Sequence, residues 1–216
     1  MYKKRPFFIV FEGVEGCGKS YQSQKLKKNL KKKGISSLLT REPGGTRSAE
    51  SIRTLILKDY FNNGTKEKFD KYTDTLLYLA ARNEHIKNKI KPALKKREIV
   101  ICDRFTDATY AYQGGGRKID NRIIMQLEKI TNVGLTPDFT FLFDAPPEVG
   151  LSRAINRGEP DRFEKEEMDF YQRVRSAYLN LAKKDPKHKL LIDATQSIPS
   201  IQKILMKQFN LLLSSW

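Results

Sequence analysis

The sequence predicts an α/β protein in three layers, a doubly wound, five-stranded parallel sheet covered on both faces by helices. Three observations predict it. Apolar runs of strand length alternate with longer segments of helical period along the whole chain. An octet, GVEGCGKS at residues 13–20, stands between the first apolar run and the first helical segment. The 216 residues contain no repeat, linker-like tract or break in composition, so residues 1–216 read as a single domain.

The strands fall, in order, at 7–11, 37–40, 99–102, 139–143 and 189–192. Sequences such as FFIV and FTFLF are the nearly unbroken apolar runs of strands buried on both faces. Helical periods occupy 19–33, 47–58, 73–91, 120–131, 148–156, 164–184 and 198–213. Gly34 is placed to cap the first helix, and Pro92 to end or kink the third.

With 39% hydrophobic and 10% aromatic residues, the composition excludes a disordered chain. No stretch approaches the roughly 18 apolar residues of a membrane helix. The start, MYKKRPFFIVFEG, reads without a signal-peptide cleavage site because its apolar run leads into a glycine turn. A cytoplasmic protein without a membrane partner is expected. Cys17 and Cys102 offer neither a disulfide framework nor a metal-ligand spacing.

Forty-one basic residues against 25 acidic ones leave a charge of +16, which attracts polyanions in general. Most of the surplus is lysine on or after helical segments, without the interleaved aromatics of a single-strand binder. Solvated helix faces are the simpler reading, and no specific nucleic-acid partner is expected.

GVEGCGKS fits GxxxxGK[ST] in its required setting between strand and helix, which places the sheet in the P-loop NTPase type. A chance match arises in roughly one chain in a hundred at ordinary glycine content. Gly13 and Gly18 let the backbone turn its N–H groups onto an anion, Lys19 can reach the β and γ phosphates, and Ser20 can ligate Mg²⁺. The absence of an NKxD segment speaks against a guanine-specific GTPase. The length speaks against a helicase or motor core.

Four further segments choose among the remaining chemistries. In ICDRF (101–105) a carboxylate and a guanidinium stand at the carboxyl end of a strand, the edge that faces the ligand crevice in open sheets. Asp103 can complete a Mg²⁺ shell and Arg104 can fork onto a phosphate, although Asp-Arg is also a common structural pair. TREPGGT (40–46) and TYAYQGGGR (109–117) read as loops turned by Pro43 with its glycines and by Gly114–Gly116. Tyr110, Tyr112 and Gln113 offer stacking faces and an amide, equipment for a nucleobase. In LSRAINRGEPDRFEKEE (151–167) Arg153, Arg157 and Arg162 surround a break between helices, which suits a mobile lid at about 151–164.

Together these segments, with LYLAAR (77–82), the Pro137-Asp138 pair and the late DAT (193–195), resemble the thymidylate kinase family of the bacterial type over nearly the whole chain. The resemblance implies ATP-dependent phosphorylation of dTMP to dTDP for dTTP synthesis, by direct transfer to the dTMP phosphate, with Mg²⁺, in a homodimer. It implies an ATP site of Gly13, Val14, Glu15, Gly16, Cys17, Gly18, Lys19, Ser20 and Tyr21, with Thr195 and Gln196 bordering adenine. For dTMP it implies Glu15 near the acceptor, Pro43, Tyr78 stacked on thymine, Arg82 bonded to the base, and Arg104 on the phosphate. Thr109 and Gln113 would line the base, and Tyr112 would crowd the position of a ribose 2′-hydroxyl. Lys19, Glu15, Arg104, Arg153 and Arg157 carry catalysis in this reading, and Ser20 with Asp103 hold the metal. Glycine at position 16, where part of the family has arginine, assigns the transition-state arginines to the lid. Phe105 replaces a commoner tyrosine. Cys17 reads as a small filler of the loop or, alternatively, as an oxidant-sensitive thiol. A kinase for another monophosphate or a deoxynucleoside, and a nucleic-acid-stimulated P-loop ATPase, are the alternative readings.

Overall fold

The computed structural model describes residues 6–57, 69–132, 134–155 and 166–215. Five strands, β1 (Phe7–Gly13), β2 (Ser37–Arg41), β3 (Ile99–Asp103), β4 (Phe139–Asp144) and β5 (Lys189–Asp193), form one sheet in the order β2-β3-β1-β4-β5. Every neighbouring pair is parallel. Each strand runs one or two residues past its apolar stretch, into Gly13, Arg41, Asp103, Asp144 and Asp193. Those ends are paired in the ladder, Gly13 with Phe143, Arg41 with Asp103 and Asp144 with Asp193.

The helices among the described residues are α1 (Lys19–Lys32), α2 (Arg47–Leu57), α3 (Lys71–His85), α4 (Lys91–Lys95), α5 (Thr106–Thr109), α6 (Asn121–Thr131), α7 (Pro147–Ile155), α8 (Met168–Lys184) and α9 (Ile198–Ser215). The register sets the two faces. Phe7, Ile9 and Phe11 align with Ile99, Ile101, Phe139 and Phe141 and pack on Leu26 and Leu30 of α1 and Ile201, Leu205 and Phe209 of α9. Phe8, Val10, Val100 and Cys102 face the other way, onto Ile86, Ile90, Ala93 and Phe105. This buries the sheet on both sides, which explains the unbroken apolar runs. No described helix is long and apolar enough to cross a membrane.

Gly34, at φ 67°, follows α1 as expected, and the Ile35 N–H bonds the Leu30 carbonyl across it at 2.9 Å. Pro92 does not end the third helix. A π-helical stretch, Ile86–Ile90, joins α3 to α4, and this wide turn just before the proline absorbs the missing donor and the bulk of its ring. The second correction concerns 109–117, which is not a loop. Helix α5 continues into a π-helical stretch, Tyr110–Gly116. Its glycines serve close packing instead of turning: a β-carbon on Gly116 would lie 2.4 Å from the Phe170 ring of α8, and one on Gly115 2.7 Å from the Ala177 β-carbon.

The chain leaves β1 towards one edge of the sheet and β4 towards the other. The carboxyl ends of the central strands therefore border a topological switch point, where open sheets bind ligands.

Candidate active site

Between β1 and α1 the octet forms a tight loop. Gly18 precedes α1 in the left-handed region at φ 86°, and the first turn of α1 carries no acidic side chain to offset the positive helix end. Lys19 is buried, and its Nζ donates to the Val14 carbonyl at 2.7 Å. Cys17 is buried in the same turn and donates to the same carbonyl at 2.9 Å, packing the loop from inside. Ser20 donates to Asp103 Oδ2 at 2.5 Å, joining the start of α1 to the end of β3.

Beside the loop, Arg104 sits at φ 70°, a conformation that non-glycine residues adopt where their surroundings enforce it. Its Nη1 donates to the Gly13 carbonyl at 2.8 Å and to the Tyr178 hydroxyl at 3.1 Å, and its Nη2 to the Tyr112 hydroxyl at 3.1 Å. Nη2 also pairs with the Glu15 carboxylate. Burial would raise the Glu15 pKa, but Arg104 and then Lys19 pull it down to about 2, so this carboxylate is an anion throughout the physiological range.

Glu12, fully buried at the end of β1, behaves in the opposite way. Burial and the nearby Asp107 raise its pKa to about 7, against the pull of Arg104, the Phe105 N–H and Tyr178.

Deeper in the cleft Arg82 of α3 is 2% exposed and held from three sides. Nε pairs with Glu42 at 2.6 Å, Nη1 bonds Thr109 at 2.8 Å and Glu128 at 3.2 Å, and Nη2 bonds the Phe105 carbonyl at 2.8 Å. Glu42 also bonds His85 Nδ1 at 3.0 Å, and His85 Nε2 meets Thr40 at 2.7 Å. Burial would raise Glu42, yet Arg82 and His85 hold its pKa below the usual carboxylate range. With four of its five N–H groups bonded among the described residues, the guanidinium is a rigid donor platform.

One cleft joins these parts. Its walls include Glu15, Gly16, Gly18, Lys19, Ser20 and Asp103 at one end, Arg104 between, and Pro43, Tyr78, Arg82, Thr109, Tyr112 and Gln113 at the other. Gln113 is 2% exposed, and its Nε2 has no hydrogen-bond partner among the described residues. A buried amide donor without a partner, on a residue that lines a cleft, is a group that a ligand acceptor would satisfy.

The comparisons decide the family. The family model described as thymidylate kinase matches residues 11–204. The chain belongs to the thymidylate kinase family. It is 49% identical over 200 residues, 93% of each chain, to the thymidylate kinase of Pseudomonas syringae pv. tomato. It is 48% identical over 195 residues, 90% of each, to that of Ectopseudomonas mendocina. A crystal structure of thymidylate kinase from Ehrlichia chaffeensis aligns at a TM-score of 0.75 and 34% identity, covering 95% of this chain and 99% of that one.

Measured against the family expectations, all eight residues assigned to dTMP line the cleft. The residues assigned to ATP divide. Those of the loop border the cleft or stand beside it, with Tyr21 exposed on α1. Thr195 and Gln196 are not among the residues that line the cleft; they stand in the turn after β5, where Thr195 bonds Asp193 at 2.6 Å. Arg153 lies outside the cleft lining and donates to the Ala194 carbonyl at 3.0 Å, next to that turn. Arg157, Arg162 and most of the expected lid fall outside the described residues.

The sequence reading missed Arg41, Glu42, Arg53 and Leu57, which also line the cleft, and Glu12, Glu128 and Tyr178, which hold its arginines. Arg41 and Glu42 stand inside the TREPGGT segment and could have been found there. Arg53, which donates to the Pro43 carbonyl at 2.8 Å, and Tyr178 sit in ordinary helical sequence that gives no such signal.

Proposed function

We propose that the chain transfers the γ-phosphoryl group of ATP to the phosphate of dTMP, giving ADP and dTDP. The observation that carries this reading is the single cleft in which Lys19 and Ser20 are joined through Arg104 to Tyr78, Arg82, Thr109, Tyr112 and Gln113. A phosphate cradle at one end and base-recognition groups at the other fit a triphosphate donor and a nucleotide acceptor placed end to end. Tyr78 offers the stacking face, Arg82 and the unmatched Gln113 amide are donors for pyrimidine carbonyls, and Tyr112 crowds the sugar.

The acceptor phosphate has a second pKa of about 6 and is largely dianionic at neutral pH, so no general base is required. Its oxygen bonds the γ-phosphorus as the bond to the bridging oxygen of ADP breaks. The obstacle is the approach of two anions, which Lys19, Arg104 and the end of α1 offset in a recessed site. Arg153 is the described member of the arginine set proposed to add charge from the lid.

Ser20 and Asp103 suit Mg²⁺, a hard cation usually held by one or two protein oxygens together with substrate phosphates. Among the described residues no group of three or more metal-ligating side chains offers another site. When bound there, the ion would neutralise charge on the phosphate oxygens.

The proposal extends to a cytoplasmic homodimer. In its support, both cysteines are free thiols, and α3 and α6 leave Tyr72, Leu76, Met125 and Ile130 exposed at 44–75%. Light scattering of Leu76→Asp/Ile130→Asp should report a monomer where the parent chain is a dimer.

The deciding experiment is a coupled assay of ADP release with Mg²⁺ and ATP, offering dTMP, dUMP, UMP or thymidine. Release that depends on dTMP, with dTDP as product, supports the reading. Release indifferent to any acceptor, or stimulated by DNA, sinks it.

A further inference from the structure

Glu12 has no part in the chemistry above, yet it is buried at the carboxyl end of β1 and spends both oxygens on the surroundings of one residue. Oε1 accepts from the Phe105 N–H at 2.7 Å and the Ala108 N–H at 3.3 Å, fixing the backbone just after Arg104. Oε2 accepts from the Tyr178 hydroxyl at 2.9 Å, and that hydroxyl in turn accepts from Arg104 Nη1 at 3.1 Å. The flanking residues of β1 complete the grip. The Phe11 carbonyl takes the Arg104 N–H at 2.9 Å, and the Gly13 carbonyl takes Nη1 at 2.8 Å.

We propose that Glu12 and Tyr178 form a relay of positioning residues that aims the Arg104 guanidinium at the acceptor phosphate. It rests on the reading of the cleft as the dTMP site and adds what holds its phosphate-binding arginine. Direction matters in this relay. A phenol oxygen facing an arginine N–H must send its own proton elsewhere, and Oε2 of Glu12, ionised above about pH 7, is the acceptor in place to receive it there.

A glutamine at position 12 cannot do the same. With its carbonyl on the Phe105 and Ala108 N–H groups, its NH₂ faces the Tyr178 oxygen, which then meets two donors while its own proton has no acceptor. The hydroxyl must turn away and the guanidinium loses that support. Phenylalanine at position 178 removes the same link from the other end, with the ring packing retained.

The experiment starts from dTMP-dependent ADP release by the parent chain; its absence would overturn the reading of function itself, separately from the relay. Tyr178→Phe, Glu12→Gln and the double variant are then compared by kinetics, by calorimetry with dTMP and thymidine, and by thermal unfolding. A hydrogen bond to a charged group corresponds to roughly a tenfold effect. The relay predicts a rise of that size in the KM for dTMP, an unchanged KM for ATP, and unchanged affinity for thymidine, which has no phosphate. The double variant should be no worse than the poorer single one, because both cut the same chain. Tyr178→Phe within twofold of the parent in its KM for dTMP, an equal loss of thymidine affinity, or multiplicative effects in the double variant would each overturn it. Should Glu12→Gln fail to fold, Tyr178→Phe still decides through the contrast between dTMP and thymidine.

Discussion

A β-carbon on Gly16 would stand 1.8 Å from the carbonyl oxygen of Gly150, and one on Gly150 would stand 2.3 Å from the carbonyl oxygen of Glu15. The phosphate loop and α7 therefore touch backbone to backbone, and the missing side chains are what allow it. No arginine fits at position 16 in this packing, which gives a physical reason for the glycine that the sequence only registers. Because the obstacle is backbone and Gly16 lies at φ 67°, no rotamer relieves it. Gly16→Ala should lower stability by about 2 kcal/mol, as overpacking does, and cut turnover as the loop shifts. A melting temperature and kcat equal to those of the parent chain would show that α7 yields freely.

Lys19 is the buried cation of the cradle, poised on the Val14 carbonyl. In the proposed reading it exchanges that neutral acceptor for a phosphate oxygen when nucleotide arrives. Lys19→Ala should lower kcat by roughly 10²-fold or more, by loss of charge stabilisation in the transition state. The melting temperature should change little, since the bonds lost are one to the Val14 carbonyl and a long one, 3.5 Å, to Cys17 Sγ. Turnover close to that of the parent would remove Lys19 from the mechanism.

Arg82 has two consequences that separate experimentally. Truncation to alanine removes the donor proposed to bind the base, so dTMP affinity by calorimetry should fall while the KM for ATP holds. It also leaves Glu42 and Glu128 without their guanidinium, and breaking a buried pair on one side costs about 3–5 kcal/mol. A destabilised variant with unaltered dTMP affinity would make Arg82 a structural residue alone.

The central strands were legible because strands buried on both faces need apolar side chains at nearly every position, as in FFIVF and FTFLF. Their ends were not, since the ladder continues through Asp103 and Gly13, where the ligand edge begins. The GKS turn announces itself because few sequences can wrap an anion. The run of glycines at 114–116 was misread for the opposite reason. Glycine marks close approach as well as turning, and only the position of Phe170 and Ala177 on α8 tells the two apart. The groups that brace the arginines stayed hidden because Glu12, Glu128 and Tyr178 act across separations that no local pattern encodes.

Glu12 also makes a prediction about stability and pH. Its carboxyl rises from 4.5 to about 7 on folding, so between these values the folded chain holds a proton that the unfolded chain has released. Its contribution to stability is complete below pH 4.5 and is lost as the pH climbs through 7. A shift of this size corresponds to about 3 kcal/mol. The charges around it are Asp107, which raises it and is itself paired with Lys189, and Arg104 and Arg82, which favour its anion; Tyr178 and Cys102 are the neutral titratable neighbours. Glu15 and Glu42 move the other way, and their contributions disappear only in acid below this window. Glu12→Gln removes the one titration and leaves the others, so the parent chain should lose about 3 kcal/mol relative to the variant between pH 4.5 and 7.5. Urea unfolding of both proteins across that range measures it. Parallel stability curves would mean that Glu12 enters the folded state already ionised, held by its three donors against the cost of burial.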